Sequence, residues 1–390
     1  MTAFLDSILE VIMKKNIKLL INATSTPLAS IFGSGFLVII PILAGAVGEY
    51  SVVAISGICM LAYAVGSVIR YNIIHAEPIL AGRPSEATQS LERCSDLALV
   101  AAYIISVSLY LHILSAFVLG SFGIDTELNE NLLTTSIIIA IMVIGFTKGL
   151  DTLGVLEEWA LYITLFIIVL LLFGFTHYDW IAWQSVSEFT MPKVHTHTPW
   201  EIVTIIAGTL IVVQGFETPR YLGQKYKANI RVSSSRWSQI ISTVIYIVFV
   251  AVATPTVHML QGQYDDNSLI KLVGVISGLL VAPLVIAAAL SQFSAAVADC
   301  LAAIGNMQEV TQNHLKRKWG IILVGGGAIA LTWSASTYEI VAIASRAFAF
   351  YYLLQCLVAI SVSQSLLQRT GMLIIALLLA FITLFAVPAS

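Results

Sequence analysis

Residues 28–47 read LASIFGSGFLVIIPILAGAV, an apolar run of membrane length broken by Gly33-Ser34-Gly35 and then by Pro41. A helix that crosses lipid pairs its backbone groups internally, because hydrocarbon offers no partner. A glycine pair at mid-run weakens that pairing. Interrupted backbone at such a depth survives where it is buried in protein or lines a polar cavity, so the run marks a site inside a bilayer.

The rest of the chain agrees. Its 390 residues are 58% hydrophobic and 11% charged, and the mean hydropathy is +0.92. That composition defines an all-α polytopic membrane protein and excludes a soluble domain. The long apolar runs exclude a β-barrel, which alternates in short segments. No basic tail points to nucleic acid, and the net charge of −3 decides nothing. Cys59, Cys94, Cys300 and Cys356 have no metal-ligand spacing and read as reduced thiols. There is no catalytic constellation, phosphate loop or cofactor motif, so an enzyme is not expected.

At about 20 apolar residues per crossing, eleven spans are expected: 27–47, 50–72, 94–120, 131–150, 153–175, 200–224, 237–260, 268–298, 319–334, 339–362 and 371–388. Residues 1–26, with Phe4, Ile8 and Ile12 at helical spacing and Lys14, Lys15 and Lys18 behind them, read as a cytoplasmic amphipathic segment and not a signal peptide. Basic residues set the orientation. With the N-terminus inside, Lys14, Lys15, Lys18, Arg70, Arg83, Arg93, Lys148, Arg220, Lys225, Lys227, Arg231, Arg236, Lys316, Arg317, Lys318 and Arg369 are cytoplasmic. Lys193 and Lys271 fall outside and Arg346 falls within a span. The expectation is a plasma-membrane protein, in a bacterium its inner membrane, with N-terminus in and C-terminus out. The stretch 176–199, with Trp180, Trp183, Pro192 and Pro199, reads as an interfacial external loop.

A second interruption falls in the sixth span, at Gln214-Gly215-Phe216-Glu217-Thr218-Pro219. Proline lacks an N–H and pushes its neighbour off helical angles. Five spans is an odd number. If spans one to five (27–175) and six to ten (200–362) are two halves, the second is therefore inverted relative to the first, with the breaks at matching positions. Paired broken helices in inverted repeats point to a transporter site. The helix at 371–388 then stands outside the repeats, on the periphery or at a homodimer contact.

The same residues carry a family resemblance. Gly33-Ser34-Gly35-Phe36, Ile74-His75-Ala76-Glu77-Pro78, Gly215-Phe216-Glu217 and Asn229-Ile230-Arg231 resemble motifs of the amino acid–polyamine–organocation superfamily, the last without that family's proline. The resemblance implies a 5+5 inverted repeat like that of a leucine transporter, broken helices 1 and 6, and alternating access. It also implies that sodium-coupled relatives use two hydroxyls on the eighth span, here Ser291 and Ser294, while some proton-coupled relatives place a fifth-span lysine there. The fifth span, ALYITLFIIVLLLFGF, has none.

The expected function is secondary transport of a small zwitterion, foremost an amino acid, coupled to sodium or protons. The alternatives are a nutrient sensor on the same fold, or carriage of another small organic or inorganic ion. Phe32, Gly33, Ser34, Gly35, Gln214, Gly215, Phe216, Glu217 and Thr218 are the candidate substrate residues. Helix N-termini freed by a break favour a carboxylate, and freed carbonyls accept from an ammonium. Glu217 fits bracing, substrate contact or proton carriage equally. Arg346, about 10 Å into the tenth span by the helical rise, is expected to form a gate or charge pair. Asp299 reads as a solvated helix-end acid, and His112 as a packed, hydrogen-bonded histidine.

Overall fold

The computed structural model describes residues 2–33, 35–150, 156–186, 191–192, 197–312 and 314–388, and among these the chain is helical with no strand. The elements are α1 (Thr2–Gly33), α2 (Ile39–Val47), α3 (Ser51–Tyr71), a π turn (Asn72–Ala76), α4 (Glu77–Leu80), α5 (Glu86–Phe122), α6 (Glu127–Thr147) and α7 (Leu156–Val186). There follow α8 (Pro199–Ala207), 3-10 turns at Leu210–Val213 and Thr218–Leu222, α9 (Ala228–Ala253), a 3-10 extension (Thr254–Leu260), α10 (Ser268–Ile276), α11 (Val281–Val310), α12 (Arg317–Thr332), α13 (Thr337–Val362) and α14 (Leu366–Phe385).

Eight segments among the described residues are long and apolar enough to cross a membrane. The chain is a multi-pass membrane protein. Of the expected spans, the first and sixth are divided into shorter pieces, and the ninth is carried by α12, 16 residues long.

Local chemistry sets the helix ends. Ser85 and Thr126 accept the amide protons of Thr88 and Asn129 and start α5 and α6. Thr198 with Glu201, and Ser336 with Glu339, form reciprocal capping boxes that start α8 and α13.

Three expected boundaries move. Helix α1 runs through residue 26 without interruption, so the amphipathic segment and the first span are one rod. Helix α7 continues to Val186, so Trp180 and Trp183 lie on a helix and not in a loop, since no breaker precedes Pro192. Residues 187–190 and 193–196 of that expected loop, Lys193 included, lie outside the described residues. The run 268–298 is two helices, α10 and α11, joined through an extended Ser277. Pro283, in the first turn of α11, cannot donate to a preceding turn and forbids a continuous rod.

Helix α5 is the central post, packed on α11 and α13, while α1 lies on α9, α7 and α11. Helix α14 packs on α13 and touches α3 and α8 at the edge. One end of the bundle gathers basic residues and their partners: Arg231 is bidentate on Glu77 (2.8 and 2.6 Å) and Arg220 meets Glu92 at 2.6 Å. The opposite end gathers acids: Asn267 Nδ2 donates to Asp125 (2.6 Å) and the Thr337 hydroxyl to Asp266 (2.6 Å).

Candidate functional site

The two interruptions clasp each other at the centre. At the first, α1 stops at Gly33, Gly35 sits at φ +146°, and α2 resumes at Ile39. A Cβ on Gly35 would lie 3.0 Å from Val212 of the second break. A Cβ on Gly33 would lie 2.6 Å from the Ala295 methyl, so Gly33 is where α1 touches α11. Ser34 lies outside the described residues. Phe32 and Phe36 are buried, and Phe36 stacks on Phe249 with ring centres 4.3 Å apart.

At the second break, Gln214 is extended and Gly215 has φ +120°. A Cβ on Gly215 would stand 2.7 Å from the Ile31 amide nitrogen, so only glycine lets the two segments approach. The Tyr246 hydroxyl on α9 reaches the carbonyls of both Ile31 (3.1 Å) and Val212 (2.7 Å) and ties the breaks together. Ser345 on α13 donates to the Gly208 carbonyl (2.7 Å) and accepts from the Ile211 amide (3.0 Å), satisfying backbone that no helix serves.

Side chains complete this second turn. Glu217 is fully buried, and its Oε2 accepts from the Gly215 amide (3.0 Å) and the Tyr352 hydroxyl (2.7 Å). Gln214 Nε2 donates to the Tyr110 hydroxyl (2.9 Å). Thr218 donates to the Gly215 carbonyl (2.7 Å), and Phe216 stacks on Tyr352 at 5.1 Å. Gln214 Oε1 and Glu217 Oε1 have no hydrogen-bond partner among the described residues. Such orphan acceptors in a dry core are costly unless a donor arrives.

Two small cavities adjoin the clasp. One, of about 50 Å³, is lined by Ser30, Tyr103, Thr218, Ser294 and Asp299 among others. Asp299 is buried, not solvated, and accepts from the Ser106 hydroxyl. The other, of about 10 Å³, has room for one water or one bare ion. Phe32, Thr164, Ser291 and Ser294 line it, and Thr164 Oγ1 has no partner among the described residues. Thr164 was not singled out in the sequence because one threonine in an apolar helix carries no signal of its own.

Arg346 lies elsewhere. Its guanidinium turns away from the centre and donates to the carbonyls of Ala386 (2.7 Å) and Leu384 (3.4 Å) at the end of α14. Among the described residues it has no carboxylate within ion-pair distance, and so no partner for the expected charge pair. The last carbonyls of a helix attract a cation, which accounts for this placement. Glu77 and Arg231, by contrast, form an ion pair that joins two motifs read separately in the sequence.

Two broken helices locked together within a multi-pass helical bundle define a membrane transporter. The chain belongs to the APC superfamily of transporters: the family model of that description matches residues 14–387. It is a family of transporters and not of enzymes. An uncharacterized protein of Aquifex aeolicus (strain VF5) is 40% identical over 368 residues, which are 92% of this chain and 89% of that one. Crystal structures of two mutants of a manganese transporter from Eremococcus coleocola superpose on 94% of this chain and 85% of theirs, with TM-scores of 0.56 and 0.54 at 11% and 14% identity. At that identity the likeness is one of fold.

Proposed function

We propose that the chain is a secondary transporter of a small zwitterion, foremost an amino acid. The carrying observation is the pair of buried acceptors, Gln214 Oε1 and Glu217 Oε1, left without a donor at the second break. An ammonium group supplies such donors, and backbone amides at the first break suit a carboxylate. Phe32, Gly33, Ser34, Gly35, Gly215, Phe216 and Thr218 complete the proposed site.

The architecture proposed with it is eleven spans, a 5+5 inverted repeat over 27–175 and 200–362, and a peripheral eleventh helix at 371–388 that also offers a homodimer contact. The N-terminus is cytoplasmic, the C-terminus external, and the membrane a bacterial inner membrane. Thr164, Ser291 and Ser294 favour sodium over protons as the coupling ion. Three hydroxyls around a one-ion cavity are hard oxygen ligands, and no lysine stands among them.

The test is uptake of labelled amino acids into proteoliposomes under imposed sodium or proton gradients. Sodium-driven uptake that is lost in Gln214→Leu, and made sodium-independent or lost in the double variant Ser291→Ala, Ser294→Ala, supports the reading. Uptake of Mn2+ with no amino acid uptake would replace the substrate. Amino acid binding without uptake would make the protein a sensor.

A further inference from the structure

A larger cavity lies away from the clasp, at the acidic end. It holds about 280 Å³ between the later part of α5, the start of α6, the loop before α10 and the start of α13. Its lining includes His112, Glu127, Glu130, Asn131, Tyr264 and Asp266. None of these residues belongs to the site described above.

Acids at a loop end are ordinary, but two buried side chains here are not satisfied. His112 is 3% exposed and Asn131 7% exposed, and both line the cavity. His112 Nδ1 and Asn131 Oδ1 have no hydrogen-bond partner among the described residues. His112 Nε2 faces Glu130 Oε2 at 3.6 Å. The floor thus gathers two acceptors, Oδ1 of Asn131 and the Glu130 carboxylate, beside an unpartnered ring nitrogen of His112, and wants a ligand with several donors.

The shape selects among cations. A bare ion or a water fills about 10–15 Å³, far less than this cavity. No group of three or more His, Cys, Asp or Glu among the described residues is arranged to hold a metal ion. Asp266 accepts from Thr337 at the wall, and burial raises its carboxyl above the usual range. Glu127 is exposed at the rim. Tyr264 and Tyr338 add ring surface suited to a cation or an alkyl body.

We propose that this cavity is a second binding site, which takes the ammonium group of a small primary amine. The ammonium sits on Glu130 and Asn131, beside His112, and the amine's body extends toward Glu127. The site stands apart from the solute that crosses the centre.

The experiment is calorimetric titration of the purified full-length protein in nanodiscs with n-butylammonium chloride, with n-butanol as the uncharged control. Saturable binding of the amine and none of the alcohol is expected. Glu130→Gln, which keeps shape, and Asn131→Leu should each weaken binding by about tenfold or more, a loss of one good polar contact. Glu127→Gln at the exposed rim, where folding is not at stake, should weaken it about threefold at low salt. Gln214→Leu, which under the proposed function stops central uptake, should leave this binding intact. If the amine does not bind, if butanol binds equally well, or if only Gln214→Leu removes the binding, the site is not there. Saturable binding of MnCl2, lost in Glu130→Gln with no amine binding, would overturn the ligand class.

Discussion

The first break offers no polar side chain among its described residues, whereas the second carries an amide, a carboxylate and a hydroxyl into the same core within Gln214–Thr218. The first is held from outside, by the Tyr246 hydroxyl on Ile31 and by the packing of Gly33 on Ala295. The second is held from outside too, by Tyr246 on Val212 and Ser345 on Gly208 and Ile211, but also from within, through Glu217 on the Gly215 amide and Thr218 on the Gly215 carbonyl, with Tyr110 and Tyr352 joining from neighbouring helices. Both breaks are limited by steric fit at a glycine, more tightly at Gly215 than at Gly35, and the second depends on polar satisfaction as well. Substitutions should separate them.

The largest effect is expected at Gly215. A methyl there meets the Ile31 amide nitrogen at 2.7 Å and Ser30 Cβ at 2.8 Å, on backbone at φ +120°. Backbone strain costs about 1–3 kcal/mol and overpacking about as much again, so Gly215→Ala should lose roughly 3–5 kcal/mol. Gly35→Ala is also strained, at φ +146°, but meets the Val212 side chain and α-carbon less closely, at 3.0 and 3.3 Å, and should lose roughly 2–4 kcal/mol. Thermal unfolding in detergent, followed by thiol labelling of the buried Cys300 and Cys356, measures both. Equal losses would mean that the two breaks are equally tight, and the contrast would fail.

The next effect tests polar satisfaction. Glu217→Ala strands the Gly215 amide and the Tyr352 hydroxyl, at about 1–3 kcal/mol for each buried donor. Glu217→Gln keeps an oxygen for both donors and should recover most of that stability while still impairing uptake. Tyr352→Phe removes one donor and should fall between them. If Gln is as damaging to the fold as Ala, the carboxylate's charge matters and not its hydrogen bonds.

How much of this was legible follows from the same physics. Gly33, Gly35, Gly215 and Pro219 announce breaks because glycine and proline act on their own backbone. The groups that satisfy those breaks are not local. Tyr246, Ser345 and Tyr352 sit in ordinary helical patterns, and nothing in their neighbours says that they serve residues 34 to 215 positions away. Asp299 was misread for a related reason: its position near a helix end suggested water, but α5 brings Ser106 against it. Hydropathy also joined α10 to α11, because a window average does not register Pro283. Glu77 and Arg231 were each noticed as motif residues, and only the fold makes them one ion pair.

That pair gives a smaller expected effect, at the basic end. Arg231 is fixed on both Glu77 oxygens and also donates to the Arg220 carbonyl at 2.9 Å, next to the second break. Lysine cannot reproduce the planar fork. Arg231→Lys should cost about 1–2 kcal/mol, since Glu77 is partly exposed. It should change uptake rate more than solute affinity, because no group of the proposed site is removed. An affinity loss with an unchanged rate would place Arg231 in the site after all.

The smallest effect separates the clasp from the edge of the molecule. Arg346 lies on α13, as Ser345 does, but successive side chains of a helix diverge by about 100° and these two reach different partners. Ser345 serves the second break, whereas Arg346 reaches out to the last carbonyls of α14. Ser345→Ala leaves the Ile211 amide without its acceptor in a dry core and should cost about 1–3 kcal/mol together with uptake. Arg346→Ala removes only a partly exposed cap on a peripheral helix, where such contacts are worth about 0.3–1 kcal/mol. Uptake should stay within about twofold of the parent, an energy difference of only about 0.4 kcal/mol. The informative quantity is the difference between neighbours in sequence, measured in one assay. A tenfold loss in Arg346→Ala beside a mild Ser345→Ala would move the working part of α13 to its outer face. The charge that was expected to gate the centre would then have to be sought at the junction of α13 and α14.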